Sequence, residues 1–164
     1  MNILWRTSVA ILAFVLPTSL LADGWEVDTQ LEELASYGLE AGAPALNGKV
    51  TLIDFWASWC APCKAAFPEM EKLQGEYAEK GFQVIAVSVD QSEKMMQRFL
   101  DRQKPSFATP HDASQSLVAK AGIQVMPSSF MVDRNGKIRF THEGWQGKKS
   151  VSKLREEIEL LLNE

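Results

Sequence analysis

The chain has 164 residues, with 17 Lys and Arg against 21 Asp and Glu for a net charge of −4, and 46% of its residues are hydrophobic. That length suits one domain, the apolar share is too high for a disordered chain, and the acidic balance excludes a polybasic nucleic-acid surface. Only two cysteines are present, so no disulfide framework supports the fold.

At the N-terminus Arg6 precedes the apolar run Val9 to Leu16, Pro17 breaks it, and small residues surround Ala22. This is the pattern of a secretory signal, with cleavage expected after Ala22. The uncharged span Thr7 to Ala22 falls short of the roughly 18 residues of a spanning helix. An uncleaved N-terminal anchor is the alternative. Loss of residues 1–22 leaves 16 basic against 21 acidic residues, a net charge of −5. Residues 23–48 read as an extension, with an acidic amphipathic helix over Trp25 to Tyr37 and a Gly- and Ala-rich loop over Gly38 to Gly48. The main domain is expected over 49–164.

Val50 to Phe55 reads as a short buried strand, followed by Asp54-Phe55-Trp56-Ala57-Ser58-Trp59-Cys60-Ala61-Pro62-Cys63-Lys64. Two residues between Cys60 and Cys63 put both sulfurs at the first turn of a helix, where unpaired N–H groups and the helix dipole favour a thiolate. A structural disulfide there would close only a four-residue loop and would contribute roughly 2 kcal/mol on the chain-entropy model. A zinc site would need His111 and His142, which lie far from the cysteines and from each other. A redox-active dithiol is the reading favoured over these two.

Ala61 to Lys80 has helical periodicity through Phe67, Met70, Leu73 and Tyr77, with Pro68 expected to kink it and Gly81 to stop it. Phe82 to Asp90 reads as a second buried strand, which makes a βαβ unit and implies a parallel pair. Ser92 to Arg102 is an amphipathic helix with Met95 and Met96 taken into the core. A short extended piece near Phe107-Ala108 and a helix from Ser114 to Ala121, stopped by Gly122, lead to Met126-Pro127 and a strand to Asp133. Asn135-Gly136 favours a tight hairpin turn, so Ile138 to His142 should return antiparallel. Ser150 to Leu162 carries a helical stripe of Val151, Leu154, Ile158, Leu161 and Leu162.

These residues resemble the thioredoxin fold and, within it, the exported TlpA-like and ResA-like thiol-disulfide oxidoreductases. The resemblance runs from about Lys49 to the C-terminus. It rests on the Asp54–Lys64 run, Pro68 five residues past Cys63, Met126-Pro127 at the position of the family's cis-proline, the Asp133–Ile138 hairpin and the extra segment Gln91 to Ser116. The implied fold is α/β and thioredoxin-like: a central mixed β-sheet flanked by helices, with an extra helix/strand segment before the cis-proline.

The resemblance implies that Cys60 is the nucleophile and Cys63 the resolving thiol, with their disulfide as the only redox group and no separate cofactor or metal. It makes Asp54 a buried acid that exchanges a proton near Cys63, with a solvated strand-end residue as the alternative. Pro127 would present the backbone of Met126 to an extended substrate, unless it is an ordinary strand-start proline. Trp59, Ala61 and Pro62 would form the contact surface, with Trp56 packed beneath. The ResA-like pattern commonly carries Glu three residues after the second cysteine. Ala66 stands there, so proton handling falls to Asp54, and that Glu's role in cytochrome maturation is not expected. The partners implied are protein thiols and disulfides, with a membrane electron donor if the protein is a reductant. A monomer is expected, without nucleic acid. An oxidant or isomerase, and a thioredoxin-like copper-site assembly factor with Cys60 and Cys63 as soft ligands, are the alternatives.

Overall fold

The computed structural model describes residues 24–39 and 43–164. The leader expected over 1–22 lies outside the described residues, as does part of the Gly38–Gly48 loop. Four strands, β1 (Val50–Trp56), β2 (Phe82–Ser88), β3 (Ser128–Val132) and β4 (Ile138–Glu143), form one mixed sheet in the order β2-β1-β3-β4. β2 runs parallel to β1, β3 antiparallel to β1, and β4 antiparallel to β3. Around the sheet pack α1 (Ala61–Tyr77), α2 (Glu93–Gln103), α3 (Ser116–Lys120) and α4 (Lys148–Leu162).

All seven residues of β1 are buried, as its unbroken apolar run requires of a central strand covered on both faces. Successive side chains point to opposite faces. Trp56 meets Phe67 of α1 at 4.6 Å and Phe99 of α2 at 5.1 Å on one face. Phe55 meets Trp25 at 5.8 Å and Phe130 at 6.0 Å on the other. α4 shares the α1 face, where the Tyr77 hydroxyl donates to Glu159 at 2.5 Å and Arg155 pairs with Glu76.

The helix starting at Ala61 passes through exposed Pro68 and ends at Tyr77. A 3₁₀ turn, Ala78–Lys80, carries the chain to Gly81, whose φ of 100° makes it the stop expected from the sequence. In α2, Met96, Phe99 and Leu100 are buried. Met95 is 49% exposed, against the expectation of a core position, because it lies off the stripe those three residues form. The extended piece near Phe107-Ala108 bridges β2 through Ile85 with Ala108, and Ser88 pairs with His111 beyond it, so the extra segment covers the β2 edge.

Two local expectations need correction. No helix spans Trp25 to Tyr37: only Leu34–Tyr37 forms a 3₁₀ turn. The preceding residues run beside the hairpin, turning at Asp28 (φ 72°), with Asp28 N–H donating to Ile138 O at 2.8 Å and Leu31 N–H to Gly136 O at 2.9 Å. Sheet-edge hydrogen bonds and burial of Trp25 outcompete an isolated short helix. The hairpin turn is also wider than a two-residue Asn-Gly turn. Gly136 N–H closes on Asp133 O, Gly136 alone takes the left-handed conformation, and the Asp133 carboxylate accepts from the N–H groups of Asn135 and Lys137. This is a type I turn followed by a left-handed glycine.

Trp25 is 6% exposed, with its ring 5.2 Å from Phe130. Trp25→Ala is expected to cost about 3–5 kcal/mol, the usual loss for a buried aromatic, measured by guanidinium unfolding of the full chain.

Candidate active site

β1 delivers its last residue, Trp56, into the sheet, and the chain turns at once into α1. The Trp56 indole N–H donates to Ala86 O at 3.1 Å, which fixes the strand end against β2. Cys60 is the N-cap of α1 and keeps an extended backbone, so its Sγ accepts from the Cys63 N–H at 3.2 Å. Pro62 falls in the first turn, where a missing N–H costs nothing. Cys60 and Cys63 form a disulfide with their Cα atoms 5.3 Å apart. Cys60 is 5% exposed and Cys63 fully buried, so Cys60 is the more accessible of the two. Ala61 and Pro62 are exposed beside it, and Trp59 is 67% exposed while Trp56 is buried beneath.

Asp54 shares a β1 face with Trp56, so it lies beneath α1, whose buried stripe begins with Cys63 and continues through Ala66 and Phe67. Asp54 is 4% exposed, its Oδ2 has no hydrogen-bond partner, and burial pushes its carboxyl well above the usual carboxylate range. The solvated strand-end alternative does not hold. The Met126-Pro127 bond is cis. Ser128 opposes Phe55, so one further step along the antiparallel ladder carries Pro127 and Met126 to the end of β1 where the cysteine loop starts. Pro127 is buried and Met126 half-buried there.

The histidines of the zinc alternative stand apart: His111 Nε2 is 2.7 Å from Asp90 O, and His142 Nε2 is 2.7 Å from Glu157 Oε2. Among the described residues no cluster of three or more His, Cys, Asp and Glu is arranged to hold a metal ion.

Residues 26–158 match the Redoxin family. The chain belongs to that family. It is 34% identical over 132 residues to the thiol-disulfide oxidoreductase ResA of Halalkalibacterium halodurans, covering 80% of this chain and 74% of that protein. It is 38% identical over 99 residues to ResA of Oceanobacillus iheyensis, covering 60% of this chain and only 52% of that protein. Among solved structures, a candidate thiol:disulfide interchange protein DsbE from Chlorobium tepidum superposes with a TM-score of 0.76 at 30% identity, over 85% of this chain and 99% of that one. The fold is thioredoxin-like, and this Redoxin chain is a thiol-disulfide oxidoreductase.

The Redoxin site includes one residue that the sequence reading passed over. Asp90, 2% exposed, lies just past the end of β2 and accepts from Ser58 N–H at 2.8 Å, Ser58 Oγ–H at 2.7 Å and Ser88 Oγ–H at 2.9 Å. It pins the loop between Trp56 and Cys60, beside a cleft of about 420 Å³ that Trp59 and Met95 help to line. The signals available were an acid ending an apolar strand and a serine between two tryptophans; neither names the other as partner.

Two outcomes follow from these burials. Asp90→Ala should cost about 1.5–3 kcal/mol, the range for hydrogen bonds to a charged group, in urea unfolding of the oxidised protein. For Asp54, the unfolded carboxyl ionises near about pH 4 while the folded one holds its proton to higher pH. The native state therefore binds more protons across that window. Stability declines as pH rises through it and levels off above the folded value. Asp54→Asn should remove the decline and be the more stable protein at pH 8, by about 1–3 kcal/mol, in urea midpoints compared across the pH range.

Proposed function

We propose that the chain is an exported thiol-disulfide oxidoreductase that reduces disulfides in protein substrates and is itself re-reduced by a membrane electron donor. Cys60, the more accessible sulfur at the helix start, attacks the substrate disulfide as a thiolate and forms a mixed disulfide. Cys63, one turn in, then attacks Cys60 Sγ, the substrate's second sulfur leaves as a thiolate, solvent protonates both released sulfurs, and the Cys60–Cys63 disulfide is restored. Asp54 takes the proton that the Cys63 thiol gives up. An extended substrate pairs with the Met126 backbone before Pro127 and rests on Trp59, Ala61 and Pro62.

The observation that carries the direction of transfer is the buried carboxyl of Asp54 beneath the pair. Strong oxidants owe their potential to a stabilised thiolate in the reduced state. Here Ala61 and Pro62 bring no charge, Ala66 is apolar and buried, and a carboxyl sits below. A thiolate over this buried carboxyl is disfavoured, so the disulfide is the preferred resting form and the dithiol a good reductant. Export is supported by the leader-like run before Asp23, and the donor by the need to reduce the pair in an oxidising compartment.

Equilibration of the full chain with dithiothreitol or glutathione buffers, followed by thiol trapping, tests the direction. A reduction potential near about −250 mV or lower is expected, and a value near about −120 mV would overturn the reductant reading in favour of an oxidant.

A further inference from the structure

Asp54 is one end of a row of polar side chains on the α1 face. The ladders set Asp54 opposite Ser129 on β3 and Ser129 opposite His142 on β4, so the three project from the same face. His142 Nε2 meets Glu157 of α4 at 2.7 Å, and Glu157 is 5% exposed. With neighbouring strands about 4.8 Å apart, the row from Asp54 to His142 spans roughly 10 Å. Its outer end opens into a cleft of about 230 Å³ lined by His142, Gln146, Lys149, Ser150 and Lys153. The other side of Asp54 is closed, because its β2 neighbour is Ala86, whose carbonyl is taken by the Trp56 indole.

We propose that Ser129, His142 and Glu157 form the track by which buried Asp54 exchanges its proton with solvent. The proposal rests on the reading above that Asp54 is the proton acceptor for Cys63. In the resolving step the Cys63 proton passes to the Asp54 carboxylate as the Cys63 sulfur bonds to Cys60 and the substrate sulfur departs as thiolate. Asp54 is reset when that proton moves through water held at Ser129 Oγ to the imidazole of His142, which Glu157 holds at 2.7 Å, and then into the cleft. Re-reduction runs the same path inward. Ser129 and His142 are positioning residues, since neither touches the reacting sulfurs.

Charged groups face His142 from three elements. Glu157 faces it from α4, with Lys153 Nζ 3.9 Å from the second Glu157 oxygen. Lys149 lines the cleft from α4, Glu143 follows on β4, and Asp54 faces it from β1 across Ser129. Of these groups only Glu157 is in direct contact with His142, and Lys153 reaches the same carboxylate from its other oxygen.

The test is single-turnover reduction of insulin by the reduced full chain between pH 5.5 and 9, at low buffer concentration, with and without added imidazole. Wild type should show an inflection that Asp54→Asn lacks. His142→Phe and Ser129→Ala should displace that inflection and slow the resolving step about tenfold, a fraction of what a positioned base supplies, and imidazole should restore the rate. Inflection and rate unchanged in both variants, with Asp54→Asn altered, would overturn the track alone. Slowing at every pH without rescue would overturn it too, as a structural effect. If Asp54→Asn keeps the wild-type inflection, the acceptor reading falls and the track with it.

Discussion

A carboxyl group held without full hydrogen bonding in the central strand is the constraint around which this site is built. Burying Asp54 costs stability, since an oxygen stripped of water and given no partner forfeits its hydration. The chain offsets this cost with its aromatic packing. Trp56, Phe67 and Phe99 pack on the Asp54 side of β1, and Phe55, Phe130 and Trp25 on the other. The strand that carries the strained group is thus the best enclosed in the molecule. That enclosure also keeps the carboxyl away from solvent and its affinity for a proton high.

The same strand end fixes where the sulfurs stand. Trp56 is locked to Ala86, Ser58 is held by two hydrogen bonds to Asp90, and α1 starts at Cys60 with a proline in its first turn. Little conformational freedom remains between strand and helix, so the approach of Cys63 to Cys60 is set before any substrate arrives. Asp54 and Asp90 are both buried acids within this small volume, yet their environments oppose one another. Asp90 is surrounded by donors and serves as an anchor, whereas Asp54 lacks them and is left able to change its protonation state.

Legibility in the sequence followed the range of the interaction. The βαβ unit, the stop at Gly81 and the C-terminal helix were readable because each is written in local periodicity and capping. The cysteine pair and Pro127 were readable from spacing and resemblance. Trp25 to Tyr37 misled because its helical stripe is real, but its backbone groups find partners on Gly136 and Ile138, more than a hundred residues away. Asp90 and Ser58 were invisible as a pair for the same reason: a single sequence does not say which strand end lies beside which loop. Met95 was assigned to the core by composition, while only the stripe of buried neighbours in α2 decides its side of the helix.

The sheet order explains why a polar row could persist through an otherwise apolar face. β1 and β2 are covered over their length by α1, so Leu52, Phe67 and Met70 fill that half of the face. β3 and β4 lie toward α4, whose buried stripe is interrupted by Glu157 beside Leu154 and Ile158. Glu157 is buried there, and His142 on the facing strand meets its carboxyl at 2.7 Å. Ser129, rather than a large apolar residue, stands between His142 and Asp54 in the ladder, so polar side chains continue from β1 to β4 on this face.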